Sequence, residues 1–136
     1  MRFIQKLFST ILLMLLFVTA NAKVIELDNQ NAKNCQKQIL SAHDSRPIVL
    51  SFSSSCPNGD EIMPIFHSVA KQFPNRAFFS YDFDTEKNDS VFASCIKRYD
   101  ETCPEIIVMK KTGGKYRPYK SDESVSTRDG IVSLIK

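Results

Sequence analysis

Tryptophan is absent from these 136 residues, histidine occurs twice and glycine four times. His43 and His67 have no partner at metal-ligand spacing, so a solvated or half-buried state is expected for each, with no metal site. Ser53-Ser54-Ser55 lacks flanking glycines, which excludes a nucleophile elbow. Asp82, Asp84 and Glu86 have neither the glycine nor the spacing of a calcium loop and read as a solvated strand end. No internal repeat and no low-complexity linker interrupts the chain. A large charge excess is missing too. Once Arg2 and Lys6 are set aside with the leader described below, sixteen basic residues face fifteen acidic ones. The pI of 8.7 therefore overstates how basic the remainder is. That balance gives no reason to expect nucleic acid or an anionic membrane surface as a partner.

What is present begins with a leader. Arg2 and Lys6 make a basic start, Ile11 to Val18 is apolar, and Ala20-Asn21-Ala22 offers small residues where a signal peptidase reads. This is the pattern of a secretory signal peptide over residues 1–22, with an apolar core too short to span a bilayer comfortably. A retained anchor is the alternative. No cysteine ends the apolar stretch, so a lipoprotein is not indicated. Cleavage after Ala22 leaves residues 23–136 as one domain, periplasmic or secreted, without a stable membrane anchor. All four cysteines (35, 56, 95 and 103) lie in it and meet an oxidising compartment.

The hydrophobic pattern predicts alternating elements. Lys23 to Leu27 reads as a strand and Asn29 to Ala42 as a helix with Ala32, Cys35, Ile39 and Ala42 on one face. Ile48 to Phe52 is a continuous apolar run, as in a central strand buried on both sides. Asp60 to Phe73 carries the clearest helical stripe, Ile62, Phe66, Val69, Ala70 and Phe73, with Pro64 inside it. Ala77 to Asp82 is a third strand. Asp89 or Ser90 caps a helix with Val91, Phe92, Cys95, Ile96 and Tyr99 inward. Glu105 to Met109 and Lys115 to Tyr119 form a hairpin across Thr112-Gly113-Gly114, with Tyr116 and Tyr119 covering the sheet edge. Ser126 or Thr127 caps a last helix. The order βαβαβα then ββα implies an α/β fold with parallel strands and late antiparallel edges.

Cys56 stands where the second strand meets the second helix, a position at which terminal N–H groups and the helix dipole favour thiolate over thiol. Asp60 and Glu61 oppose that effect, which leaves the direction of the thiol's shift open. Pro64 follows eight residues later, and Thr102-Cys103-Pro104 leads into the fourth strand. Together these features resemble the thioredoxin fold over nearly all of residues 23–136. The resemblance implies a mixed central sheet of about five strands flanked by about four helices. It also implies that Cys56 is the nucleophilic thiol and Pro104 a cis-proline facing it. Thr102-Cys103-Pro104 is similar to the Thr-Val-Pro of glutaredoxins. The departures are specific. The family's Trp-Cys-Gly-Pro-Cys is here Ser55-Cys56-Pro57-Asn58-Gly59, and the buried carboxylate of thioredoxin aligns with Leu50. Ordinary two-cysteine exchange through that motif is excluded.

In the resembled fold the residue before the cis-proline faces the helix start, so Cys103 is a candidate partner for Cys56. Helices one and three pack on one side of the sheet there, which makes Cys35–Cys95 a candidate structural disulfide. Both cysteines also fit as small reduced core residues. Four cysteines permit three connectivities, and the sequence does not choose among them. The expected activity is thiol–disulfide exchange. Cys56 attacks a partner disulfide and Cys103, or an external thiol such as glutathione, resolves the product. Pro104, Thr102 and Pro57 hold the partner segment, and no cofactor is required. A redox-inactive binding module on the same scaffold is the alternative. A peroxidase of the peroxiredoxin kind draws on Ser53, three residues before Cys56, but Val49 stands where its proline is expected.

Overall fold

A computed structural model describes residues 23–53, 55–57, 59–83, 88–96, 104–122 and 127–136. Five strands, β1 (Val24–Glu26), β2 (Ile48–Phe52), β3 (Phe78–Asp82), β4 (Glu105–Thr112) and β5 (Lys115–Asp122), form one sheet in the order β1-β3-β2-β4-β5. β1 and β2 both run parallel to β3, whereas β4 is antiparallel to β2 and β5 antiparallel to β4. Four helices, α1 (Ala32–Ser41), α2 (Gly59–Gln72), α3 (Asp89–Ile96) and α4 (Arg128–Ile135), connect and cover them. The leader, residues 1–22, and the position of Tyr99 lie outside the described residues.

Strand alternation divides the interior into two cores. Val49, Phe79, Tyr81, Ile107 and Met109 face α1 and α3, joining Cys35, Ile39, Phe92 and Ile96. Ile48, Leu50, Phe78, Ile106 and Val108 face α2 and α4, joining Ile62, Phe66, Val69 and Ile131. Burial of β2 on both faces explains why Ile48–Val49–Leu50 has no polar alternation. Edge-on and tilted aromatic contacts tighten each side. Phe66 meets Phe78 with ring centres 5.5 Å apart, and Tyr81 and Phe83 each meet Phe92 at 5.0 Å.

The first helix is shorter than its apolar pattern predicts. It starts at Ala32, not Asn29, because Asp28 takes the preceding segment. One Asp28 oxygen accepts the N–H groups of Gln30 and Asn31, and the other accepts from the Asn34 side chain. The Gln30 N–H, ahead of Asn34 and Asn31, holds that carboxyl below its usual value. Asn31 then caps the helix through the Asn34 N–H. The hairpin is longer than predicted, reaching Thr112 and Asp122, with a register shift between Val108 and Met109. Pro118 sits beside that irregularity on the edge strand, where its missing N–H is tolerated. Of the two tyrosines expected over this edge, Tyr116 is buried but Tyr119 is 51 % exposed. Gly113 and Gly114 make the turn with φ of 60° and 79°, values that exclude most side chains.

Asp44 ties the end of α1 to the start of β2 and β3. Its carboxylate accepts from Ala77 N–H at 2.6 Å and Arg46 N–H at 2.9 Å, and lies 3.5 Å from Arg76 Nε. Its carbonyl accepts from the Tyr116 hydroxyl at 2.6 Å.

Candidate active site

Cys56 occupies the turn that carries the chain from the central strand β2 into α2. The turn closes through Cys56 N–H to the Ser53 carbonyl, 3.0 Å, and Gly59 N–H to the Cys56 carbonyl, 3.2 Å. The Ser53 N–H also lies 3.0 Å from Cys56 Sγ and donates to it. A sulfur that accepts an N–H holds negative charge better than one against hydrocarbon. Ser53 is itself buried, fixed by its Oγ to Ser55 Oγ at 2.7 Å and by the Ser55 N–H at 3.1 Å. Cys56 is half-buried and disulfide-bonded. Pro57 beside it is exposed.

Gly59 shows why no second cysteine stands in this motif. A Cβ there would lie 2.8 Å from the Ser53 carbonyl oxygen and 3.3 Å from Cys56 Cβ. The glycine is required by close approach, since its φ is not in the left-handed region. The turn that aims an N–H at Cys56 is therefore the same turn that excludes a side chain at 59. Gly59→Cys should open it, destabilising the domain by about 1–3 kcal/mol, the usual range for overpacking. It should also leave disulfide reduction no faster than in the parent chain. Urea unfolding and an insulin-reduction assay on Gly59→Cys and Gly59→Ala together check both halves.

Pro104 is described and partly buried, directly before β4. Thr102 and Cys103 lie outside the described residues. Cys35 and Cys95 form a disulfide that links α1 to α3. Leu50, the residue that the resemblance aligns with the buried carboxylate of thioredoxin, is fully buried in the α2–α4 core. Among the described residues no group of three or more histidines, cysteines and carboxylates is placed to hold a metal ion.

Two residues were missed by reading the sequence. Ser53, noted there for the serine run and for a peroxidase comparison, supplies the donor to sulfur. Glu105 is 1 % exposed and in register with Ser51, the last buried residue of β2 before the Cys56 turn. It brings a buried carboxyl side chain to the same end of the sheet. Alternation could have revealed it, because Glu105 shares a face with Ile107 and Met109.

Comparison with solved structures identifies the fold. Thioredoxin f from spinach chloroplast superposes with a TM-score of 0.63 at 16 % identity, over 85 % of this chain and 93 % of that one. A Fasciola hepatica thioredoxin gives 0.62 at 21 % identity, over 82 % and 96 %. A Schistosoma mansoni thioredoxin gives 0.63 at 18 % identity, over 84 % and 96 %. No protein-family model matches the sequence, and no curated protein sequence matches it either. The chain has the thioredoxin fold.

Proposed function

We propose that this chain is an exported thiol–disulfide exchange protein that works through Cys56 and Cys103. The observation that carries the reading is the state and setting of Cys56: disulfide-bonded, half-buried, and receiving the Ser53 N–H. With Cys35 joined to Cys95, Cys103 is the one other sulfur among the four cysteines. In the reducing direction the Cys56 thiolate attacks a partner disulfide. One S–S bond forms, one breaks, and a partner thiolate leaves. The Cys103 thiolate then attacks Cys56 Sγ and releases the second partner thiolate. Two electrons pass to the partner and the Cys56–Cys103 bond remains. The oxidising direction runs the same steps backwards. Protein thiols and disulfides are the substrates, with glutathione as an alternative resolving thiol, and Pro104, Thr102 and Pro57 flank the bound segment. Export rests on the leader, with Arg2, Lys6, the Ile11–Val18 stretch and Ala20-Asn21-Ala22 directing residues 23–136 to the periplasm or the medium.

Graded reduction of the native protein in glutathione buffers, with thiol labelling and peptide mapping, tests this. Two thiols, on Cys56 and Cys103, should appear at a moderate potential while Cys35 and Cys95 stay joined. Release of no thiol before unfolding would reject exchange and favour the second reading, a redox-silent binding module. Gly59 and Leu50 are the observations on that side, since each replaces a group that two-cysteine exchange uses.

A further inference from the structure

Residues 110–120 hold five of the sixteen cations of residues 23–136 and no acid, while the rest of that span has eleven cations against fifteen acids. The near-neutral total therefore conceals a polarised molecule. The fold adds a sixth cation. Arg46, from the loop ahead of β2, places its guanidinium carbon 5.5 Å from the centre of the Tyr119 ring. Lys110 Nζ from β4 lies 5.2 Å from that centre and Lys120 Nζ from β5 lies 6.0 Å from it. Three positive groups from three segments thus converge on one exposed aromatic ring. Among the described residues no carboxylate is within ion-pair distance of any of the three. Asp44, two residues before Arg46, is taken by the Ala77 and Arg46 N–H groups and by Arg76.

We propose that this face of the β4–β5 hairpin docks the protein on an anionic lipid surface. Edge-strand blunting accounts for lysines and a proline on β5, but not for Arg46 and Lys110, which are not on the edge strand. The same blunting disfavours an acidic peptide adding as a sixth strand, because Pro118 and the register shift interrupt the backbone ladder. What remains is flexible positive charge around an amphipathic ring, the combination that suits a headgroup layer. Orientation supports the assignment. Pro47 and Ser45 accept the N–H groups of Met109 and Lys111, so Arg46 and Lys110 stand at the start of β2 while Cys56 lies beyond its other end. About 16 Å of strand separates the two, at ~3.3 Å per residue. Docking there leaves Cys56 facing away from the membrane and open to partners.

The test is co-sedimentation of the exported protein with vesicles of phosphatidylcholine alone and of equimolar phosphatidylcholine and phosphatidylglycerol. Binding is expected only to the second, weakening as salt is raised. The variant Arg46→Gln/Lys110→Gln/Lys120→Gln should bind about a hundredfold more weakly, at roughly fivefold per cation removed. The control Lys33→Gln/Lys37→Gln/Lys71→Gln, of equal charge loss on exposed helix positions, should bind nearly as well as the parent. Near-ultraviolet circular dichroism confirms that each variant is folded. Equal binding to both vesicle types, equal losses in both variants, or binding to polyglutamate but to neither vesicle would each overturn the proposal. These outcomes are independent of whether Cys56 exchanges disulfides.

Discussion

Cys56→Ser should lower insulin-disulfide reduction by about a hundredfold or more, to the rate of the buffer thiol alone, because the attacking atom itself is removed. Serine keeps the turn, since the Cys56 N–H to Ser53 carbonyl bond and the Gly59 N–H bond are main-chain contacts. Stability should therefore change little beyond the loss of the bond that Cys56 makes, and a drop in rate would report chemistry and not misfolding. Cys103→Ser separates the two sulfurs further. If Cys103 resolves the mixed disulfide, this variant should accumulate the Cys56–partner adduct, visible as a mass gain that dithiothreitol reverses. A Cys56→Ser chain that reduces insulin at the parental rate would end the exchange reading, whatever the Cys103→Ser chain does.

The second large effect concerns the other pair. Cys35→Ala/Cys95→Ala should destabilise the domain by about 4 kcal/mol in the chain-entropy account, because the bond spans 60 residues of sequence. Both sulfurs sit in the core between the sheet and the helices α1 and α3, at 0 % and 3 % exposure. Removing them adds a packing loss to the entropic one. For a single domain whose total stability is of order 5–15 kcal/mol, that is a large fraction. Urea unfolding of the oxidised parent and the double alanine variant measures it. A difference below about 1 kcal/mol would show that α1 and α3 are held by side-chain packing alone. Exchange activity at low temperature should survive in the folded fraction, since neither residue belongs to the Cys56 turn.

The elements best marked in the sequence are those whose residues answer to one local rule. The unbroken Ile48–Phe52 run gave β2, and the stripe from Ile62 to Phe73 gave α2 with Pro64 tolerated inside it. Boundaries failed where a side chain outcompeted periodicity. Asp28 captures the N–H groups of Gln30 and Asn31, so helical spacing alone could not place the start of α1. Cys56 was legible as a thiol at a strand–helix junction. Its donor was not, because the Ser53 N–H is a main-chain group whose direction depends on the closed turn. Gly59 could be noticed as a missing cysteine but not explained, since the reason is a carbonyl that a Cβ would strike. The clustering around Tyr119 joins Arg46 to residues more than sixty positions away, which no reading of net charge reveals.

The place of β2 in the middle of the sheet carries a dynamic consequence. Its neighbours on both sides make its amides reachable by deuterium only through the opening of the whole domain, whereas the hydrogen bonds of the turn that follows span only a few residues. A covalent change at the sulfur can then be absorbed within a few residues, while the slowest-exchanging protons of the molecule sit one strand-end away and register nothing.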